Sequence, residues 1–336
     1  IQCDCLRPNY SPRIPTMLSA ARVFSTRALP RARVAFFSTT SPVSLKNVTI
    51  LGGGLMGNGI TQVTAQAGYN VTMVDVSEEL LAKSHANISK TILKGYKKKI
   101  EKGAITEADA KKETEDVMSR IKSLVSAEEA ASNADLIIEA VPENLPLKQK
   151  IFASLDKVAP KDCIFTSNTS SLPIKDIQAT SNRGDKFAGL HFFNPVPMMK
   201  LLEVVNGPET SEATYNTLCE YGKNVGKTTV KCKDTPGFIV NRLLVPYLFE
   251  AIRLVERGDA SKEDVDTAMK LGCGYPMGPF TLADVVGLDT CKSILDGWHA
   301  AYPDMEVFTP SPSLNELVAA GKLGMKTGEG FYSYKK

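Results

Sequence analysis

The sequence predicts an α/β domain followed by an all-α domain, and three observations carry that expectation. An apolar strand, Val48-Thr-Ile-Leu51, runs into glycines spaced G-x-G-x-x-G at Gly52, Gly54 and Gly57, and a helical pattern follows. A second strand, Val71–Val74, ends in an acid, Asp75, 18 residues past Gly57. After Cys232 the alternation of apolar strands with helical periodicity stops, and only helical patterns remain. Strand, glycine turn, helix and a second strand closed by an acid together describe a Rossmann-like dinucleotide-binding domain.

Each part of the first unit has a physical role. Gly52 permits the tight turn, Gly54 lets a pyrophosphate approach the backbone, and Gly57 lets helix pack on strand. Gly53, Leu55 and Met56 complete a loop whose backbone N–H groups lie at a helix N-terminus, where an anion is stabilised. The helix runs from Leu55 to Ala67 and closes at Gly68. Asp75 is placed to accept hydrogen bonds from the adenosine ribose hydroxyls and to repel a 2′-phosphate. Val76, Ser77, Glu78 and Glu79 follow it without an arginine, so NAD is expected rather than NADP. The plainer alternative is a surface aspartate that caps a helix.

Ser77 is placed to cap a long helix with Leu81, His85, Ile88, Ile92, Tyr96 and Ile100 on one face. Its far end, from Lys94 to Lys99, is lysine-rich, which suits either a solvated helix C-terminus or contact with a phosphorylated ligand. A polar stretch then runs to Ile121. Leu136–Val141 and Cys163–Thr166 read as buried strands. The second runs into Ser167-Asn-Thr-Ser170-Ser171, small polar residues past a strand's carboxyl end, where open α/β sheets bind ligands. Ser170 or Ser171 could equally cap a helix at Leu172-Pro173.

Strand Phe187–Leu190 leads to His191, and strand Leu201–Val205 sets Glu203 among aliphatic neighbours. A carboxylate there is costly unless something pairs with it. Of the three histidines (85, 191, 299), His191 alone sits at a strand end. Paired, the two would form an acid–base dyad in which the glutamate orients the imidazole. Unpaired, they are a core histidine and an edge glutamate.

Beyond strand Thr228–Cys232, Pro236 opens a long apolar helix that ends at Arg257-Gly258. Ser261-Lys-Glu-Asp264 starts another with a capping-box pattern. A Gly/Pro turn from Gly272 to Phe280, two short helices to about Val318 and a glycine-rich tail complete the chain. Broad apolar helical faces predict dimerisation through this half.

Composition narrows the function classes. No apolar run is long enough to span a bilayer. Residues 1–45 hold six arginines and one acid, Asp4; with +5 there, the chain total of +3 leaves −2 for the rest. No basic stripe survives to bind nucleic acid. From Met17 to about residue 45 the chain is arginine- and serine-rich and free of acids, the composition of a mitochondrial transit peptide, or else of a disordered basic tail. Residues 1–16 precede the first methionine and read as upstream sequence. The five cysteines beyond the leader (163, 219, 232, 273, 291) are scattered, without metal spacing or a disulfide framework.

Six motifs, in order, carry a resemblance: Gly52-Gly-Gly-Leu-Met-Gly57, Ser167-Asn-Thr-Ser-Ser-Leu172, Gly189-Leu-His-Phe-Phe-Asn-Pro-Val-Pro197, Asp234-Thr-Pro-Gly-Phe-Ile-Val-Asn-Arg242, Gly274-Tyr-Pro-Met-Gly-Pro279 and Lys326-Thr-Gly-Glu-Gly-Phe-Tyr332. From Lys46 onward the chain resembles the short-chain L-3-hydroxyacyl-CoA dehydrogenases of mitochondrial fatty-acid β-oxidation. The resemblance implies oxidation of an (S)-3-hydroxyacyl-CoA to the 3-ketoacyl-CoA with NAD in the mitochondrial matrix. It makes His191 the catalytic base, Glu203 its partner, and Ser170 and Asn241 the groups that hydrogen-bond substrate near the reacting oxygen. On the cofactor side it points to Gly52, Gly53, Gly54, Leu55, Met56, Gly57, Asp75, Glu143, Lys148, Ser170, Asn194 and Lys326. For CoA it points to Thr91, where the family commonly has serine, to Lys98 and to Ser170.

The expected organisation is a leader over 1–45, an NAD-binding domain with the dyad over 46–233, and a helical substrate and dimerisation domain over 234–336. The partners expected are an acyl-CoA thioester and a second copy of the chain, with no metal. Competing readings are a dehydrogenase that prefers 3-hydroxybutyryl-CoA or a sugar acid, and a catalytically idle dinucleotide-binding or structural protein.

Overall fold

The computed structural model describes residues 45–334, so all but the last residue of the expected leader lies outside it. The strands are β1 (Asn47–Leu51), β2 (Asn70–Val74), β3 (Ile121–Leu124), β4 (Leu136–Glu139), β5 (Ile164–Ser167), β6 (Phe187–Phe192), β7 (Leu201–Asn206) and β8 (Thr228–Lys233). They form one sheet in the order β3-β2-β1-β4-β5-β6-β7-β8. All neighbours are parallel except β6 and β7. The direction of winding reverses between β1 and β4, and the crevice at the carboxyl ends of such a pair is where open α/β sheets bind ligands.

Helices α1 (Leu55–Gln66), α2 (Glu78–Glu101), α3 (Glu107–Met118), α4 (Ala127–Ala131), α5 (Leu145–Leu155), α6 (Ile174–Gln178) and α7 (Glu212–Asn224) cover the sheet. One core, from Val48 and Ile50 to Ile60, Ile88, Val117 and Leu218, joins the sheet to α1, α2, α3 and α7. The other, from Leu51 and Ile137 to Ala131, Phe152 and Ile177, joins it to α4, α5 and α6. Strands buried on both faces read as continuous apolar runs, as Leu136-Ile-Ile does. A third core holds together α8 (Val240–Glu256), α9 (Lys262–Gly272), α10 (Pro279–Val286), α11 (Leu288–Ala301) and α12 (Pro312–Ala319) around Phe249, Phe280, Leu295, Trp298 and Phe308.

Three local expectations are corrected. The polar stretch after α2 contains α3, started by Thr106, whose hydroxyl accepts from Asp109 N–H at 3.1 Å. That helix buries only Ala110, Thr114 and Val117, so it shows no apolar stripe. The long apolar helix starts at Val240, not Pro236. Gly237 and Phe238 have φ of +76° and +54°, which no α-helix accommodates. On α2 it is Ser84, not His85, that lies in the buried row, and its hydroxyl donates to the Gly53 carbonyl at 2.7 Å.

Among the described residues most helix N-termini are capped, and α1 and α11 start at glycines without a side-chain cap. Ser77, Thr106, Ser126, Asn144, Ser211, Ser261 and Ser311 cap their own helices by side-chain oxygen, each contributing about 1 kcal/mol. Distant carboxylates serve three more: Asp234 accepts from Ile174 and Lys175 on α6, Glu203 from Ile239 and Val240 at the start of α8, and Asp266 from Phe280 and Thr281 on α10. For α1 the cap residue is Gly54, with no side-chain cap. Its N–H groups stay available to an anion.

Candidate active site

The turn between β1 and α1 is built by close approach. Gly52 has φ +101°, and a Cβ on it would lie 2.6 Å from the Ala140 carbonyl oxygen. A Cβ on Gly57 would fall inside the radius of the Gly52 carbonyl oxygen, whereas one on Gly54 would meet nothing within 4 Å. Of these three glycines only Gly54 faces open space. Asp75 Oδ2 accepts from Gly53 N–H and Oδ1 from Val76 N–H, both at 2.7 Å. Each oxygen keeps a lone pair for a further donor, such as a sugar hydroxyl. A cleft of about 840 Å³ runs past Gly54, Leu55, Met56 and Asp75 to Val125, Pro142 and Ile151. Open helix N-terminus, unobstructed Gly54 and acid-ended β2 fit an adenine dinucleotide.

Beside the cleft, β4 and β5 end in a buried charge network. Glu139 is fully buried; it accepts from Lys148 Nζ at 2.6 Å and from Ser167 Oγ at 2.5 Å. Lys148, 1 % exposed, also pairs with Glu143 at 3.1 Å. Glu143 Oε1 in turn gathers the loop after β5, accepting from Thr169 Oγ1 (2.5 Å), Ser170 N–H (3.2 Å), Ser171 N–H (3.3 Å) and Ser171 Oγ (3.0 Å). Burial by itself would raise the Glu143 pKa. The Lys148 charge and the bonds from Thr169, Lys148 and Ser171 outweigh it and hold the carboxyl below its ordinary value. Lys148 is therefore paired with both Glu139 and Glu143 and is not a free amine.

The dyad comes from strand register. β6 and β7 are antiparallel, and His191 lies directly opposite Glu203. His191 Nδ1 is 2.6 Å from Glu203 Oε2. Glu203 is fully buried and His191 is 5 % exposed. An ionised glutamate only accepts, so Nδ1 carries the proton and Nε2 is left as the basic nitrogen. Phe193 and Phe238 flank the imidazole, with ring centroids at 4.4 and 5.4 Å. The other Glu203 oxygen accepts from Ile239 N–H (3.1 Å) and Val240 N–H (2.9 Å), the start of the helix that bears Asn241. One carboxylate thus orients the His191 imidazole and holds the backbone that enters α8. Asn241 Nδ2 donates to the Ser170 carbonyl at 3.4 Å, and Phe192 N–H donates to Asn168 Oδ1 at 2.9 Å, tying the serine loop to both.

Four other expected site residues are exposed. Lys326 is exposed and bound to Asp289 at 2.5 and 2.7 Å, within the helical domain. Thr91 and Lys98 lie exposed on α2, where Thr91 Oγ1 donates to the Asn87 carbonyl at 2.8 Å. Asn194 is exposed in the loop after β6. Buried Cys163, Cys232 and Cys291 are pushed up to about 12 by burial, which leaves no thiolate among them to act as a nucleophile. Glu139 was missed by the sequence reading, although a carboxylate inside an apolar strand is the signal that singled out Glu203. Ser84, Asp289 and Phe238 left no such signal.

Residues 47–235 match the family model described as 3-hydroxyacyl-CoA dehydrogenase, NAD binding domain, and residues 237–334 match that of the C-terminal domain. The chain belongs to the 3-hydroxyacyl-CoA dehydrogenase family. It is 57 % identical to the hydroxyacyl-coenzyme A dehydrogenase, mitochondrial, of Rattus norvegicus over 87 % of this chain and 92 % of that one. The Homo sapiens protein of the same description is 53 % identical over 93 % and 99 %. Among solved structures, (S)-3-hydroxybutyryl-CoA dehydrogenase from Ralstonia eutropha superposes with a TM-score of 0.80 at 40 % identity, covering 87 % of this chain and all of that one. As a member of the 3-hydroxyacyl-CoA dehydrogenases, the chain has an NAD-binding domain, and the glycine turn and Asp75 lie within it.

Proposed function

We propose that this chain oxidises (S)-3-hydroxyacyl-CoA to 3-ketoacyl-CoA with NAD, as a step of fatty-acid β-oxidation. The observation that carries the chemistry is the buried His191–Glu203 pair, 2.6 Å apart. In the oxidative direction His191 Nε2 takes the substrate's hydroxyl proton, and Glu203 stabilises the imidazolium that forms. NAD, when bound, supplies the acceptor for the hydride that leaves C3. Ser170 and Asn241 donate to the reacting oxygen and favour the charge that develops there. Gly52 to Gly57 and Asp75 hold the cofactor, with Glu143, Lys148, Asn194 and Lys326 along its length. Thr91 and Lys98 on α2 hold CoA, the lysine as a cation for its phosphates.

The relatives named as mitochondrial support a mitochondrial location, and we place the protein in the matrix, directed there by residues 17–45. The domain division at 233/234 is part of the same reading. Exposed Leu243, Leu271, Tyr275, Val285 and Val286 in the helical half support a homodimer formed through it.

The test is oxidation of NADH, followed by absorbance, with acetoacetyl-CoA and longer 3-ketoacyl-CoAs. Turnover with these thioesters is expected. A protein that binds NADH yet reduces none of them would overturn the assignment, and activity confined to acetoacetyl-CoA would make it a 3-hydroxybutyryl-CoA enzyme.

A further inference from the structure

Lys227 is a buried charge for which the mechanism has no use. It follows the C-terminal end of α7, where Gly226 has φ +76° and Lys227 N–H donates to the Gly222 carbonyl at 2.9 Å. The residue is 7 % exposed. Its Nζ donates to the Val196 carbonyl and, at 2.8 Å, to the Met199 carbonyl; it makes no ion pair among the described residues. Burial, with the like charge of Lys200 added, lowers the amine's pKa. A desolvated ammonium held only by carbonyls is costly, and an apolar side chain of similar length would occupy the space at less cost.

The carbonyls it holds belong to the loop between His191 and Glu203. Phe193 rests on the His191 ring. Asn194, Pro195, Pro197, Met198 and Met199 are exposed, so little packing fixes the loop. Met198 and Met199 N–H both donate to the Pro195 carbonyl at 3.0 Å, making a tight turn. Val196 alone is buried, packed so closely on α1 that a Cβ on Gly59 would lie 2.7 Å from its own Cβ. The loop therefore bridges the catalytic histidine and the helix whose open N-terminus faces the cofactor. Lys227 clamps it from behind.

We propose that Lys227 is a positioning residue for the cofactor: by holding the Val196 and Met199 carbonyls it fixes the loop so that Asn194 stays in place for NAD. This rests on the reading of Asn194 as a cofactor contact. Lys227 touches neither substrate nor cofactor, and its effect passes through the backbone of the loop. Removing it raises the KM for NADH while the KM for the acyl-CoA and the folded fraction stay as they are.

The experiment is a double-mutant cycle of Lys227→Met and Asn194→Ala, with KM for NADH and for acetoacetyl-CoA and kcat measured for each, and Lys227→Gln as a partial rescue because its amide still donates. Lys227→Met is expected to raise KM for NADH about tenfold, the loss typical of a charge-assisted hydrogen bond. KM for acetoacetyl-CoA should change less than about twofold. In the Asn194→Ala background Lys227→Met should add little further, because the two act in series. If Asn194→Ala leaves KM for NADH unchanged, the reading of Asn194 fails. If it raises KM but Lys227→Met does not, or the two effects multiply, the positioning role fails. Insoluble protein from both the Met and Gln variants would make Lys227 a folding residue and overturn the proposal.

Discussion

The glycine turn after β1 and the His191–Glu203 pair are built on opposite plans. The turn is local: Gly52 to Gly57 and Asp75 fall within 24 residues, and the fold completes them by bringing two neighbouring strands side by side. The proposed catalytic cluster gathers Ser170, His191, Glu203 and Asn241 from the loop after β5, from β6, from β7 and from α8. The turn works by absence of side chains, the cluster by side chains that hold one another, as His191 and Glu203 do. Glu203 shows the consequence, since one carboxylate serves the imidazole on one oxygen and the α8 backbone on the other. Within the turn Gly54 faces open space while Gly52 and Gly57 do not, so only part of the local site is separable from the fold.

The largest effect sharpens that contrast on the catalytic side. His191→Gln is expected to lower kcat about 10²–10⁴-fold while NADH binding, read by fluorescence titration, is retained. Near-wild-type turnover would remove His191 from the chemistry.

On the local side two glycines of one motif should behave differently. Gly57→Ala drives a Cβ into the Gly52 carbonyl, which should destabilise the protein by about 1–3 kcal/mol, seen as a lower Tm, and weaken NADH binding as well. Gly54→Ala meets open space at an ordinary φ of −71°. Its Tm should stay at the wild-type value while KM for NADH rises about tenfold or more, equivalent to at least ~1.4 kcal/mol. Equal losses of stability in the two would show that Gly54 serves the fold after all.

The smallest effect concerns pH. Glu143 has its pKa held below the ordinary carboxylate value. Its stabilisation is fully present above that ordinary value and is lost progressively as pH falls from there through the depressed one. The Tm difference between wild type and Glu143→Gln should hold from neutral pH down to the ordinary carboxylate value and shrink below it. A difference that vanishes already near neutral pH would contradict the clamp on Thr169 and Ser171.

The same contrast explains what could be read from the sequence. Glycine spacing and a strand-ending acid are patterns of neighbours, so the dinucleotide half was legible from composition and order. Glu203 was legible as a problem, a carboxylate among aliphatics, and His191 as its candidate partner; the antiparallel β6–β7 register that sets the two opposite is what periodicity does not encode. Glu139 posed the same problem and went unremarked because its strand was read for burial alone. Lys326 shows the reverse. Its motif identifies it by resemblance, while its bonds in this structure go to Asp289. α3 stayed hidden because a helix that buries three residues leaves no stripe to see.

Glu203→Gln tests the central claim most directly. The amide oxygen can still accept from Ile239 and Val240, so the fold and NADH affinity should persist. Its NH₂ can only donate to His191 Nδ1, which moves the ring proton to Nε2 and blocks the basic nitrogen. The account predicts folded protein with wild-type NADH affinity and kcat for oxidation of (S)-3-hydroxybutyryl-CoA by NAD lowered about 10²-fold or more. Turnover within a few-fold of wild type would contradict it.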